Sequence, residues 1–292
     1  MAELILDLYT CDVGATADSP TAFADLLVSR VKQSWESGAD VVCFPEFSWL
    51  GLESFVEKGT GALAAVANLF WNDLWPSIST SLNRSDKMAV LGSVPCVQVD
   101  GKLRNRAPIL INGKTYHQDK LNLTPWEKAF SAGEVLHVFE FAGLKVAIII
   151  CLDVEVPELS VALRGQGVDL ILVPSATESL LGVERVGRCS SARSVELGCF
   201  VAVTHLVGKT DSELVDENIG RLVLCSPSQS PFKEMVREDI SPLFEAGFEQ
   251  RRFALPLNQL ARMRKRRAET NPSFLRPTSP LVQHANFSDR ET

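Results

Sequence analysis

Short apolar runs rich in β-branched residues recur along this chain, and several are followed by a stretch with helical periodicity. That alternation restricts the fold more than any other feature. The sharpest case is Val146-Ala147-Ile148-Ile149-Ile150, which stops at Cys151 and is followed by Leu152-Asp153-Val154-Glu155-Val156-Pro157-Glu158. Such a run reads as a buried strand, and the Pro-Glu behind it as the start of a helix. The same reading gives strands over 2–9, 39–44, 87–97, 107–117, 136–141, 144–150, 170–173, 199–205, 222–226 and 248–255. Helices are expected over 21–36, 62–82 (despite Pro76), 156–165 and 184–197. Ile111-Asn112-Gly113-Lys114 carries the Asn-Gly pair of a hairpin turn, and Val99-Asp100-Gly101-Lys102 is a second turn. βα units mixed with hairpins predict an α/β domain whose mixed sheets are covered by helices.

No composition break divides residues 1 to 256, and a single domain is expected over 1–260. The segment 261–292 differs. It opens on Arg262, Arg264, Lys265, Arg266 and Arg267 and continues as a Pro/Ser/Asn-rich tail. It reads as a basic, solvated extension, with a contact to nucleic acid or to a partner's acidic face as the less favoured use. At 292 residues and 46% hydrophobic, the chain has enough apolar residues for a large core. Its net charge of −7 gives no general attraction to nucleic acid or an anionic membrane. The seven cysteines form no C-x-x-C pair, so neither a disulfide framework nor a zinc site is expected. The first residues lack the basic start of a signal peptide, which favours a cytoplasmic location.

Cys151, at a strand end, is a candidate nucleophile; its ordinary alternative is a small packed hydrophobe. A nucleophilic thiol needs a base and a group that stabilises an oxyanion. Two other strand ends offer them. Glu46 closes Val41-Val42-Cys43-Phe44-Pro45, and a glutamate sunk into a cleft is held closer to neutral pH as a proton carrier. Lys120 closes Tyr116-His117-Gln118-Asp119 and offers a fixed cation. Taken singly, Glu46 reads as a cap and Lys120 as a surface lysine beside Asp119.

Together these stretches resemble the nitrilase superfamily of carbon–nitrogen hydrolases. The resemblance rests on Phe44-Pro45-Glu46, on Asp119-Lys120-Leu121 with Glu127 seven positions beyond the lysine, and on the residues from Ile150 to Glu158. Val173-Pro174-Ser175-Ala176-Thr177 and the stretch from Arg188 to Glu196 add to it, so that it covers about residues 3 to 256. It implies a four-layer α-β-β-α sandwich and a catalytic set of Glu46, Lys120 and Cys151. Glu127 would orient the lysine and the substrate. The N–H of Leu152 would join the oxyanion site, and Phe47, Ser175 and Thr177 are candidate substrate contacts. The implied reaction converts a small amide to an acid through a cysteine thioester, with no metal or organic cofactor. Acyl transfer or nitrile hydrolysis on the same fold, or a silent binding protein, are the alternatives. The absence of a Cys-Trp-Glu arrangement favours amides over nitriles, and Leu152 stands where an aromatic residue is frequent. The Asp-Val-Glu-Val-Pro-Glu continuation resembles a branch often fused to an acetyltransferase domain, for which this chain is too short. By the same resemblance a homodimer or larger assembly is expected, with the small-molecule amide as substrate partner.

Other residues carry weaker signals. His205 ends a strand and is the histidine best placed for a rival Cys-His pair, while His117 is read as supporting a strand edge. Arg193 and Glu196 are spaced to pair on one helix, and Arg188 is a possible carboxylate binder. Asp153 and Glu155 read as acids at a helix N-terminus more than as pocket residues. The pocket walls are expected chiefly from 48–61 and 180–186.

Overall fold

The computed structural model describes residues 3–265. In chain order the first half contributes β1 (Glu3–Tyr9), β2 (Cys11–Asp12), α1 (Pro20–Glu36), β3 (Val41–Phe44), α2 (Ala62–Asn68), α3 (Trp75–Ser81), β4 (Met88–Leu91), β5 (Val94–Val97), β6 (Leu103–Ile111) and β7 (Lys114–Asp119). The second half contributes β8 (Val138–Phe141), β9 (Leu144–Ile148), α4 (Pro157–Leu163), β10 (Leu170–Ser175), α5 (Leu180–Leu197), β11 (Phe200–Lys209), β12 (Glu217–Asn218), β13 (Val223–Cys225), β14 (Glu238–Ile240), β15 (Gln250–Pro256) and α6 (Leu257–Arg264). The first sheet has the order β15-β1-β3-β4-β6-β5, with β7 added on β6. The second runs β14-β13-β11-β10-β9-β8, with β2 and β12 also on β11. Both sheets mix parallel and antiparallel pairs.

Side-chain parity stacks the layers. In β3, Val41 and Cys43 join the apolar core shared with Val146, Ile148, Leu170 and Leu172 of the second sheet. Val42 and Phe44, one residue out of phase, join Phe23, Leu27 and Val31 of α1 instead. The second sheet is covered by α5 through Val186 and Leu197. The result is helices, sheet, sheet, helices, the four-layer sandwich expected.

Local chemistry explains where elements start and stop. Ser19 caps α1 by accepting the Ala22 N–H at 3.1 Å, with Pro20 at the first helical position. Asn112 (φ 52°) and Gly113 (φ 77°) both take left-handed conformations in the two-residue turn between β6 and β7. The expected strand over 107–117 is therefore a hairpin. The strand expected over 87–97 is two strands, because Gly92 turns the chain at φ 69°. A Cβ there would lie 2.2 Å from the Pro45 carbonyl oxygen, so only glycine lets this turn press against the segment that carries Glu46. The helix expected over 62–82 is α2 and α3 joined by a π-helical turn over Leu69–Leu74. α5 begins at Leu180, four residues before the expected start, on a Ser179 cap.

α6 crosses the boundary expected at 260. Leu260 and Met263 are buried in the core, and Arg264 binds Asp169 and the Val168 carbonyl, so the folded body reaches Arg264. The remainder of the basic run and the tail, 266–292, lies outside the described residues. All seven cysteines are free thiols. Among the described residues no helix is long and apolar enough to cross a membrane.

Candidate active site

Three strand ends deliver the three polar side chains to one place. Glu46 follows β3 and Pro45; Lys120 follows β7 on the same sheet; Cys151 follows β9 on the other. Each is almost fully buried, at 1%, 2% and 6% exposure. The chain has to be bent to present them. Cys151 sits at φ 49° and Phe47 at φ 57°, left-handed conformations that cost a non-glycine residue about 1–3 kcal/mol. At Cys151 this kink ends the strand run, and a single 3₁₀ turn over Cys151–Glu155 separates it from α4. That correction to the sequence reading matters: the amides nearest the thiol belong to this short turn, not to α4.

The polar groups form one connected network. Lys120 Nζ donates to Glu46 Oε1 at 2.8 Å and to Glu127 Oε2 at 2.7 Å. Glu127 Oε2 also accepts the Thr124 N–H at 2.8 Å, which fixes the loop beyond the lysine. Glu46 Oε2 accepts the Ala176 N–H at 3.1 Å, and the Cys151 thiol donates to the Ala176 carbonyl at 3.4 Å. One residue, Ala176, thus braces both the glutamate and the thiol, through its N–H and its carbonyl.

Two members of this network were missed or misread in the sequence. Asn105, 1% exposed in β6, donates to Glu46 Oε1 at 2.8 Å and to Glu127 Oε1 at 3.0 Å. Its signal was available: it stands on the same strand face as the buried Ala107, Ile109 and Ile111. Asp153 is not a helix-terminal acid. Its carboxylate accepts the N–H groups of Leu121 and Asn122, at 3.1 and 2.7 Å, tying the Lys120 loop to the Cys151 turn.

Electrostatics follow from burial and these contacts. Burial raises the Glu46 pKa to about 6; Lys120 opposes the rise and Glu127 adds to it. Burial also pushes the Cys151 thiol up, as does Glu46, with Lys120 opposing. At rest the thiol is therefore protonated. Burial acts to lower the Lys120 pKa, but Glu46, Cys151 and Glu127 outweigh it and hold the ammonium protonated. An ammonium has three N–H bonds. Two are used by carboxylates, which leaves one for a reacting oxygen.

These groups line a cavity of about 60 Å³. Phe47 and Thr177 line it as expected, together with Thr124, Trp126, Leu214 and Val215. Ser175 does not line it: it is fully buried and its hydroxyl donates to the Val173 carbonyl. Leu152 is not in the lining either. The walls expected from 48–61 and 180–186 are supplied instead by 120–127, 176–178 and 214–218. Thr177 holds the last of these in place, exchanging hydrogen bonds of 2.8 and 2.9 Å with Ile219.

The remaining candidates lie elsewhere. His205 is buried, donates from Nδ1 to the Arg221 carbonyl at 2.7 Å, and has its pKa lowered to about 4 by burial. It is a neutral structural histidine, and among the described residues no Cys-His pair forms at Cys151. His117 stands in β7 opposite Pro108. Arg193 pairs with Glu196 at 3.0 Å and donates to the Val154 carbonyl, while Arg188 is exposed and pairs with Glu184. Among the described residues no group of histidine, cysteine, aspartate or glutamate side chains is arranged to hold a metal ion.

Residues 14–231 match the carbon-nitrogen hydrolase family. The chain belongs to this family. Within the nitrilase superfamily its fold is similar to that of an amidase from Nesterenkonia AN1, with a TM-score of 0.65 at 21% identity over 94% of this chain and 98% of that one. In sequence it is similar to a probable hydrolase, YhcX, of Bacillus subtilis, at 30% identity over 215 residues. That match covers 72% of this chain and 42% of YhcX, so the chain spans less than half of that relative. An (R)-stereoselective amidase of a Pseudomonas species is 28% identical over 77% of this chain and 76% of its own length.

Proposed function

We propose that this carbon–nitrogen hydrolase cleaves a small amide to a carboxylic acid and ammonia or an amine through a thioester on Cys151, with Glu46 as base and Lys120 as electrophilic support. The observation that carries the reading is the convergence of Glu46, Lys120 and Cys151 on one small cavity, with the third Lys120 N–H unused.

Glu46 takes the thiol proton as Sγ attacks the carbonyl carbon. The oxyanion is held by that third Lys120 N–H and by the backbone N–H of Leu152. Glu46 then returns the proton to the amide nitrogen, the C–N bond breaks, and the amine leaves. A water that gives its proton to Glu46 attacks the thioester, the C–S bond breaks, and the proton returns to sulfur. A glutamate at about 6 suits both transfers, being basic enough to accept the proton and acidic enough to return it. Glu127 and Asn105 hold the lysine and the base against each other without touching the reacting carbon.

Incubation with a reactive short amide is expected to add one acyl mass to the intact protein, mapped to Cys151. C151A is expected to keep the fold and release no ammonia; sustained hydrolysis by C151A would overturn the mechanism. The seven free thiols support a reducing compartment such as the cytoplasm for this activity. Self-association belongs to the same proposal. Val161 and Leu181, at 60% and 69% exposure on α4 and α5, supply apolar surface for it. Light scattering reads it, and a clean monomer counts against it.

A further inference from the structure

The rim of the cavity carries a charge that the catalytic network does not use. Four charged side chains line the cavity: Glu46, Lys120, Glu127 and Glu178. Among the described residues Lys120 is the only cation in the lining, and both of its partners are carboxylates. Its charge is therefore cancelled before any substrate arrives. Glu178 stands exposed at the mouth, with no ion pair among the described residues. The segment that gives Leu214, Val215 and Asn218 to the lining also carries Asp211, Glu213 and Asp216 in its sequence. Of these, Asp211 is paired with Lys58, across an exposed contact of 2.8 Å. Glu213 still acts on its surroundings, helping burial to raise the pKa of Glu53.

The same lining presents an exposed aromatic side chain. Trp126 is 68% exposed although it lines the cavity, an exposure that no packing role explains. An exposed indole and an unpaired carboxylate lining one cavity make a receptor for an ammonium, the indole through cation–π attraction and the carboxylate through charge. A carboxylate on the substrate would meet the same two groups unfavourably, with no guanidinium or free ammonium to receive it. The cavity volume, about 60 Å³ against the ~300–1,000 Å³ of sites for drug-sized ligands, restricts the part of the substrate inside it to a short chain.

We infer that the site selects short amides whose far end carries an ammonium group, accepts neutral isosteres less well, and rejects those ending in a carboxylate, with Glu178 and Trp126 as the specificity-determining residues. This rests on the amide-hydrolase reading of the same cavity. It adds to that reading the sign of the charge at the end away from the scissile bond.

The test compares three compounds of nearly equal size by ammonia release: 3-aminopropanamide (cationic), butyramide (neutral) and malonamate (anionic). The expected order of kcat/KM is cationic over neutral by about tenfold, and neutral over anionic by at least as much. Raising the salt concentration is expected to compress both ratios, because the rim is exposed. E178Q is expected to lower the ratio of 3-aminopropanamide to butyramide severalfold, E178K to reverse the order of the two charged compounds, and W126L to lower the cationic preference alone. The two readings fail differently. Release of ammonia from none of the three overturns the amide-hydrolase reading and this one with it. Turnover of butyramide with malonamate equal or better, or ratios unmoved by E178Q, E178K and W126L, overturns the charge selection and leaves the hydrolase intact.

Discussion

Replacing Lys120 by methionine removes one charge from a buried set of three and leaves the two carboxylates, Glu46 and Glu127, facing each other across Asn105. Breaking a buried ion pair by deleting one partner costs about 3–5 kcal/mol, because the abandoned charge stays desolvated. Here the cost depends on pH, and the sign follows from Glu46. Its folded pKa, about 6, is above its ordinary 4.5, so the folded chain holds the proton more tightly than the unfolded one. The stability this gives is fully present below about 4.5 and is lost as pH rises through about 6. In the wild type that loss amounts to about 2 kcal/mol at ~1.4 kcal/mol per pKa unit. Without Lys120 the folded pKa rises further and the two carboxylates compete for one proton. The K120M protein is therefore expected to be about 3–5 kcal/mol less stable than wild type at pH 8. At pH 5, where Glu46 is protonated in both proteins, the deficit should be smaller by about 2 kcal/mol or more. Urea unfolding followed by tryptophan fluorescence at the two pH values measures both numbers. An equal deficit at pH 5 and pH 8 would refute the claim that Lys120 neutralises the buried carboxylates.

Three further outcomes follow from the same contacts. Since Glu46 must be ionised to accept the thiol proton, wild-type kcat/KM is expected to fall below pH about 6, and E46Q to abolish turnover at every pH; an active E46Q removes Glu46 as the base. N105L deprives both glutamates of a donor and is expected to lower kcat/KM at least tenfold, charge-assisted hydrogen bonds being worth about 1.5–3 kcal/mol, and to move the acid limb upward; an unchanged profile counts against Asn105 as a positioning residue. G92A places a Cβ against the Pro45 carbonyl at a left-handed φ, so thermal unfolding should show a loss of about 1–3 kcal/mol and turnover should fall with it; a fully active G92A would free Glu46 from this buttress.

Glu46 and Cys151 were legible because each ends an apolar run, where a charged or nucleophilic side chain is not hydrophobic filling; Lys120 ends the polar strand Lys114–Asp119 and was legible only beside the other two. The layers were legible for a related reason. The parity of Val41, Val42, Cys43 and Phe44 decides what each touches, and parity is written in the sequence. What was not legible depends on contacts between distant segments. Asp153 looks like a helix-terminal acid until the Lys120 loop is brought against it. The 214–218 wall carries no local sign of its role and reaches the cavity only because Ile219 binds Thr177. Asn105 lies between. Its place on the buried face of β6 could be read from the alternation, but its two glutamate partners could not. Gly92 split an expected strand because its turn is set by the Pro45 carbonyl pressed against it, a neighbour 47 residues away.

The order of strands in the first sheet has a consequence during synthesis. β3 follows β1 closely in the chain and pairs on one side of it, but the other edge of β1 stays open until β15, where Glu3 pairs with Pro256. A nascent chain stopped short of that point presents Leu4, Leu6 and Leu8 beside an unpaired backbone edge, a template for pairing with another chain. The second sheet, spanning most of 138–240, is complete before this closure happens. Cys151 is thus translated and folded into its own sheet while the strand that seals the opposite sheet is still being made. Truncation a few residues before Gln250 should therefore yield chains that contain every candidate catalytic side chain and still aggregate.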